Sequence, residues 1–112
     1  MSLDSSQALN LWLEALSESV RGEGPDLSAR QTAMLLTIYL RPQPHTVRGL
    51  AAALGVAKPV VTRAIDALSR LGYVRRRRDE KDKRNVFIER TVKGSVYLSE
   101  FSDLIVKASK DI

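Results

Sequence analysis

Cysteine is absent from this chain of 112 residues, and histidine occurs once, as His45. The missing cysteine excludes a disulfide framework, a thiolate metal site and a thiol redox switch. A lone histidine without nearby ligands cannot form a metal site, so we place His45 in a solvent-facing loop. No glycine-rich phosphate loop is present either. These absences predict a protein that is not an enzyme and that holds no metal and no cofactor.

Long apolar runs are missing as well. No run approaches the about 18 residues that a membrane helix requires, and Met-Ser-Leu-Asp does not open a signal peptide. We therefore expect a cytoplasmic protein without membrane contact. The length suits one domain, and the 44% hydrophobic content is enough for one core.

Charge is distributed unevenly along the chain. Residues 1–27 carry one basic and five acidic side chains, residues 28–93 carry fifteen and five, and residues 94–112 carry two and three. A cationic middle between mildly acidic ends is the pattern expected for a polyanion partner. On charge alone, a solvated basic face remains an equal alternative.

Periodicity and end signals predict five helices and one hairpin. We expect the first helix to be capped by Ser5 or Ser6, the second by a Ser28–Gln31 capping box, the third by Thr46 and the last by Thr91. The predicted helices cover residues 5–21, 29–40, 47–54 and about 92–109, and the fourth starts near Ala57 or Lys58 and is ended by Gly72. The predicted strands cover 73–78 and 85–90. In the second helix, we expect the core positions Ala33, Leu36, Ile38 and Leu40, with Met34 or Leu35.

The third and fourth helices form a helix-turn-helix pattern. Gly55 supplies the left-handed residue of the turn, and small Ala51 lets the two helices approach each other. Pro59 is tolerated in the first turn of the fourth helix. The residues of the corner are Leu50, Ala51, Leu54, Gly55, Val56 and Val61.

A basic hairpin follows, and residues 70–84 contain eight basic and three acidic side chains. Such a ribbon after a helix-turn-helix is typical of a wing that reaches a minor groove while the preceding helix lies in the major groove. Strand alternation predicts that two of the arginines Arg75–Arg78 face DNA and two face away, and it leaves open which two.

The face of the fourth helix that is not needed for the core supplies the candidate DNA contacts. We expect Pro59, Val60, Thr62 and Arg63 to meet base edges, with Val60 against a thymine methyl group. Phosphate contacts are expected from helix ends and from basic side chains along both helices and the wing. These residues are Thr46, Arg48, Lys58, Arg70, Arg76, Arg78, Lys81 and Lys83.

The first helix carries more apolar surface than a helix of a small monomer needs. Leu9, Trp12, Leu13, Leu16 and Val20 fall on one helical face. One interpretation is that part of this face packs against a second chain. The other is that the helix covers its own core.

The stretch from position 27 to about position 95 resembles the MarR family of winged-helix transcription regulators. The resemblance rests on Leu27-Ser28-Ala-Arg-Gln, on the turn from Leu50-Ala51 to Gly55-Val56, and on Thr91-Val-Lys-Gly94. It rests equally on the recognition helix, with Val61-Thr62-Arg63, Asp66, Leu68, Leu71-Gly72 and Val74, and on the wing Asp79-Glu-Lys-Asp82-Lys-Arg84. Three positions depart from the family pattern: Glu80 replaces a proline, Lys83 an arginine and Arg90 a leucine.

The resemblance implies roles for the wing tip and for the terminal helices. Asp82 would organise the wing, and Arg84 would enter the minor groove. The terminal helices of two chains would interlock, although this chain has room for one helix after the wing rather than two. The implied dimer contacts are Leu9, Trp12, Leu13, Leu16, Tyr97, Phe101, Leu104 and Ile105.

We therefore expect a mainly α-helical chain with a small β-wing, a winged helix-turn-helix whose terminal helices form a dimer frame. Residues 1–27 and 92–112 would dimerise, and residues 28–91 would bind double-stranded DNA. The expected function is sequence-specific regulation of transcription by a homodimer on a palindromic operator, as a repressor rather than an activator. The alternative is a winged-helix protein-interaction module without specific DNA binding. Whether a small-molecule effector binds is left open.

Overall fold

The computed structural model describes residues 2–112, which form five helices and one antiparallel hairpin, as predicted. The elements are α1 (Ser5–Arg21), α2 (Ala29–Leu40), α3 (Val47–Leu54), α4 (Lys58–Arg70), β1 (Val74–Arg78), β2 (Val86–Arg90) and α5 (Val92–Lys110). Two compact units result. One is Leu27–Ser95, and the other joins the N-terminal segment that ends at Asp26 with Val96–Ile112. In residues 2–112, no helix is long and apolar enough to cross a bilayer.

The core of the unit Leu27–Ser95 forms between the three helices α2, α3 and α4 and the hairpin. Both Met34 and Leu35 are fully buried, whereas Ala33 and Leu36 are half-buried. The largest fully buried side chains are Met34, Leu35, Ile38, Leu50, Val61, Ile65, Leu68 and Ile88.

Leu40 does not belong to this core. It is 66% exposed, so its prediction as a core residue is wrong. The reason is helical geometry, because successive residues are about 100° apart around the axis and Leu40 lies two positions beyond buried Ile38.

Side-chain caps fix the beginnings of the helices. The Ser28–Gln31 capping box is confirmed, with Gln31 N donating to Ser28 Oγ (3.1 Å) and Ser28 N donating to Gln31 Oε1 (2.8 Å). The prediction for α1 is wrong by one residue, since Asp4, and neither Ser5 nor Ser6, caps that helix together with Gln7. A carboxylate at this position also meets the positive end of the helix dipole.

His45 is buried rather than solvent-facing, and the prediction of an exposed loop is wrong. Its side chain and backbone are 7% exposed, and its carbonyl oxygen accepts a hydrogen bond from Ile88 N (2.9 Å). This bridge extends the pairing of β2 by one residue of the α2–α3 loop. The ring Nε2 lies 3.1 Å from Arg41 O. The backbone pairing with β2 buries His45. This pairing cannot be inferred from the type of side chain alone.

The hydroxyl group of Tyr39 joins α2 to both ends of the hairpin. It lies 2.7 Å from Tyr73 O and 3.0 Å from Thr91 O, and it accepts from Thr91 N at 2.9 Å. Since a hydroxyl has one proton, it donates to one of the two carbonyls at a time. Thr91 Oγ1 in turn donates to Gly72 O (2.7 Å) and accepts from Gly94 N (3.0 Å), which confirms Thr91 as the cap of α5.

Arg90 stands where the family has a leucine. It donates hydrogen bonds to carbonyl oxygens at the C-terminal end of α2. Its Nε donates to Ile38 O (3.0 Å) and its Nη2 to Arg41 O (3.2 Å). Its guanidinium also lies over the Tyr39 ring, 5.9 Å from the centroid. Carbonyl oxygens at a helix C-terminus lack intrahelical donors, and a cation is favourable there. The departure from the family pattern therefore has a structural function.

The apolar face of α1 is largely open to solvent. Leu9, Leu13 and Val20 are 73%, 58% and 76% exposed, whereas Ala15 is fully buried and Leu11 is half-buried. The interpretation in which the predicted face covers the chain's own core is therefore wrong. Ala15 lies four residues after Leu11 and therefore on the same face of the helix. This face, and not the predicted one, points inward.

Replacement of Gly94 by alanine should destabilise the fold. A methyl group at this position would overlap the Tyr39 hydroxyl and the Tyr73 carbonyl oxygen. Overpacking of this kind typically costs about 1–3 kcal/mol, which outweighs the gain of at most about 1 kcal/mol in helix propensity. Denaturant unfolding followed by circular dichroism measures the difference. Gly24→Ala is the control, because nothing lies within 4 Å of its added methyl group. Equal stability of the two variants would contradict the proposed overlap.

Candidate nucleic-acid interface

The helix-turn-helix corner forms as the spacing predicts. Gly55 has the left-handed backbone (φ 66°) that glycine adopts without steric cost, and Val56 N donates to Ala51 O (3.1 Å). Ala51 is 8% exposed and Val61 is fully buried. With Ala57 as the residue before the helix and Pro59 in the first turn, α4 begins immediately after the corner. The corner therefore fixes the orientation of the N-terminal half of α4.

The outer face of α4 is mostly available for a partner. Its core face is Val61, Ala64, Ile65 and Leu68. The opposite face exposes five of the predicted contact residues, Lys58, Pro59, Thr62, Arg63 and Arg70.

Val60 lies differently from these five residues. It is half-buried and lines an apolar cavity of about 210 Å³ with side chains of α2 and α3, including Ala33 and Met34. Only part of its surface remains for the thymine contact that the sequence predicts.

Thr46 and Arg48 lie at the start of α3. Thr46 Oγ1 accepts a hydrogen bond from Gly49 N (3.0 Å), which confirms the helix cap. Its hydroxyl proton can still be donated, because a threonine hydroxyl accepts and donates at once. Arg48 is exposed. Both residues can therefore supply donors to a phosphate oxygen.

The hairpin register divides the four arginines of β1 between two faces. Arg76 pairs across the ribbon with buried Ile88, and Arg78 pairs with Val86, so these two share the face that the core uses. Arg75 and Arg77 lie on the other face, opposite Glu89 and Phe87 respectively.

One carboxylate holds both arginines of that outer face. Arg75 Nε lies 3.2 Å from Glu89 Oε1, and Arg77 Nε lies 2.7 Å from Glu89 Oε2. The Arg77 guanidinium also covers the Phe87 ring at 5.1 Å from the centroid. The Arg77 hydrogen bond holds the pKa of Glu89 below its usual range, and the same bond raises the pKa of Arg77.

Of the two arginines predicted to bind DNA, Arg76 already has a protein partner. Its Nη2 lies 2.6 Å from Asp66 Oδ1, which ties the recognition helix α4 to β1. Both side chains are substantially exposed, so this pair adds little stability. Within residues 2–112, Arg78 makes no ion pair. Arg78 is thus the arginine of β1 that is free to meet a phosphate.

The tip of the wing is held by its aspartates. Asp82 accepts both Arg84 Nε and Arg84 Nη2 at 2.9 Å, and it also accepts Arg84 N at 3.1 Å. Asp79 Oδ1 accepts from Lys81 N (2.9 Å), which stabilises the turn that has Glu80 in the family's proline position. The Arg84 side chain is 89% exposed despite its ion pair. Asp82 therefore orients Arg84 outward, and the neighbouring Lys81 and Lys83 are exposed as well.

Among residues 2–112, no group of three or more His, Cys, Asp or Glu side chains is placed to hold a metal ion. What the site offers is a row of guanidinium and ammonium groups beside an exposed helix, which is chemistry suited to phosphates and base edges.

Comparison with known proteins decides the family. The sequence model described as MarR family matches residues 26–85, just over half of the chain. The chain belongs to the MarR family. Members of this family are winged-helix, DNA-binding transcription regulators without enzyme activity, so the expected winged helix-turn-helix fold is confirmed and the chain is not an enzyme. A search of the curated proteins finds no match.

Solved structures of this MarR-family chain's relatives show the same fold. The MepR–DNA complex of S. aureus is 22% identical, with a TM-score of 0.71 over 92% of this chain and 79% of that chain. Transcriptional regulator Tm0710 from Thermotoga maritima is 25% identical, with a TM-score of 0.67 over 95% and 69%. The adhesin competence repressor AdcR from Streptococcus pyogenes is 24% identical, with a TM-score of 0.61 over 88% and 69%.

Asp66 and Glu89 are the site residues whose contacts the sequence reasoning missed. The contact of Glu89 could have been inferred from the sequence, because a hairpin with a symmetric register places Glu89 opposite Arg75. The contact between Asp66 and Arg76 could not be inferred in this way, since it depends on how α4 packs against β1.

The ion pair with Arg84 should have a measurable effect on the titration of the Asp82 carboxyl group. Hydrogen bonds from the Arg84 side chain and then from its backbone hold the pKa of Asp82 below its usual range. A lowered pKa means that the pair is intact above the ordinary carboxyl range and is lost as the pH falls through the lowered value. A carboxyl-carbon NMR titration should therefore give Asp82 a higher pKa in Arg84→Ala than in the wild type. An equal midpoint in both proteins would argue against the bidentate pair.

Proposed function

We propose that this MarR-family chain acts as a homodimer that binds a palindromic DNA operator and represses transcription. The observation that carries the proposal is the wing tip, where Arg84 is 89% exposed and is aimed outward by a bidentate bond to Asp82. A side chain held in this way, beside an exposed recognition helix, suits insertion into a minor groove while α4 occupies the adjacent major groove.

The proposed contacts fall into two classes. Pro59, Thr62 and Arg63, on the exposed N-terminal half of α4, read base edges, and the exposed part of Val60 adds an apolar contact. The remaining contacts position the protein on the phosphates without reading sequence. These are Thr46, Arg48, Lys58, Arg70, Arg78, Lys81 and Lys83. Arg76 joins them as the residue that links Asp66 to the wing, with its outer N–H groups directed to a phosphate.

The second copy of the chain is the proposed partner of α1. Leu9, Trp12, Leu13 and Leu16 are between 41% and 73% exposed, a larger apolar surface than a monomer normally leaves in water. On α5, Tyr97, Phe101, Leu104 and Ile105 are half-buried and are proposed to contribute their remaining surface. A two-fold axis between two chains requires a palindromic site with half-sites about one helical turn apart.

Two structural relatives support this assignment. MepR was solved in a complex with DNA, and AdcR is named a repressor. Because the proposed partner is the DNA of the cell, the proposed place of action is the cytoplasm.

DNA binding should depend steeply on salt. Contact with roughly six to ten phosphates predicts that affinity falls by about 10³–10⁵ between 50 and 200 mM salt. Fluorescence anisotropy with a duplex selected from genomic fragments measures this fall. Arg84→Ala should weaken binding without lowering the thermal stability. Lys110→Ala removes the same charge from the exposed end of α5 and should leave affinity nearly unchanged. A flat salt dependence in the wild type would indicate a protein-interaction module instead.

Dimerisation should depend on the exposed face of α1. Leu13→Glu places a charge where the partner chain would bury it, so it should shift the protein from a dimer to the 12.5 kDa monomer. Sedimentation equilibrium measures the mass. Leu40→Glu introduces the same charge at a leucine that is 66% exposed in the other unit, and it should leave the dimer intact. A wild-type monomer, or a dimer that survives Leu13→Glu, would contradict the proposed interface.

A further inference from the structure

Three of the four arginines on β1 are bound to carboxylates of the same chain. Arg76 pairs with Asp66, and both Arg75 and Arg77 pair with Glu89. The basic run that dominates the sequence is therefore less available to an external anion than its composition suggests. Glu89 accounts for most of this difference, since it binds two guanidinium groups with one carboxylate.

The geometry around Glu89 favours its two ion pairs, with Arg75 and with Arg77. Glu89 is recessed, with 21% of its side chain exposed, while the side chains of Arg75 and Arg77 are 69% and 50% exposed. Each guanidinium donates its Nε–H to a different carboxylate oxygen. The Arg77 guanidinium also lies over the face of the Phe87 ring. Both arginines thus lie on the accessible side of the ribbon and are retained there by Glu89.

Arg84 at the wing tip is held differently from this pair. Asp82 occupies its Nε and one proton of Nη2, and the side chain remains 89% exposed. A guanidinium has five N–H donors, so three of them stay open for a groove. Asp82 binds one arginine and orients it outward. Glu89 shares one negative charge between Arg75 and Arg77, so these three side chains together carry a net charge of +1.

We propose that Glu89 limits the affinity of the wing for DNA of any sequence, because it competes with DNA phosphates for Arg75 and Arg77. The inference rests on the proposed DNA-binding function. Phosphate contacts contribute affinity to every sequence equally, whereas base contacts contribute it only to the operator. A chain that releases two more arginines to the backbone gains the same affinity for operator and for non-operator DNA. Glu89 therefore lowers sequence-independent binding and leaves the reading of bases to α4 and to the wing tip.

Glu89→Gln tests this role directly. The variant should bind a 30-base-pair duplex of random sequence more tightly, with a steeper plot of log affinity against log salt. Each released arginine that meets a phosphate adds about 0.9 to the slope, or about a threefold larger fall between 50 and 200 mM salt. The ratio of affinity for the selected operator to affinity for the random duplex should stay close to the wild-type value, because both duplexes gain the same phosphate contacts.

Glu80→Gln is the matched control. It removes the same charge from the same hairpin, but Glu80 makes no ion pair within the described residues 2–112. Its salt slope should stay close to that of the wild type. The double variant Glu89→Gln/Arg77→Gln should lose part of the added slope, since it removes one of the released cations. A merely structural Glu89 would change the melting temperature without changing the slope.

A second comparison does not depend on any change at Glu89. In an otherwise wild-type chain, Arg77→Gln should lower the salt slope for random DNA by less than the loss of an unpaired arginine does, because Glu89 already binds that cation. Arg78→Gln, which removes the unpaired arginine beside it, should lower the slope by about 0.9. Equal effects of these two variants, or equal slopes for Glu89→Gln and Glu80→Gln, would overturn the inference while leaving the proposed function intact. Absence of salt-dependent binding by the wild type would overturn the proposed function itself.

Discussion

The position of the wing depends on one hydroxyl group. Tyr39, near the end of α2, reaches the backbone at Tyr73 and at Thr91, the residues that immediately precede β1 and follow β2. Gly94 has no side chain, and this leaves room for that hydroxyl. The two strands are therefore anchored where they leave the core, and the ribbon beyond them extends from a fixed base. Arg90 adds to the same anchor by binding the carbonyl groups of Ile38 and Arg41.

Charge within the wing is controlled in a similar way. A hairpin with so many basic residues would repel itself and would attract any polyanion. The carboxylates of Asp66, Glu89 and Asp82 each meet a guanidinium, yet with different consequences. The first ties the ribbon to α4, the second retains two arginines on the outer face, and the third directs an arginine outward. The surface that faces a partner is thus defined by ion pairs as much as by the number of basic residues.

Much of the fold could be predicted because its signals are local. The caps at Ser28, Thr46 and Thr91 and the left-handed Gly55 act within a few residues, so their effects follow from sequence spacing. The first cap was misplaced because serine and aspartate are comparable caps and three candidates occur in succession, Asp4, Ser5 and Ser6. His45 was misjudged for a different reason, since its burial depends on pairing with a strand distant in the chain. Leu40 was assigned to the wrong face of its own helix.

The sequence by itself determined the element order, the helix-turn-helix corner and the family, because periodicity, caps and glycine positions are short-range properties. It also named the candidate site, since the exposed face of α4 is what remains once the core face is assigned. Only the tertiary structure decided which arginine of β1 is free. That outcome depends on contacts between residues 10 to 14 positions apart, such as Arg76 with Asp66 and Arg75 with Glu89. Such contacts follow from how α4 and the two strands pack, and composition does not reveal them.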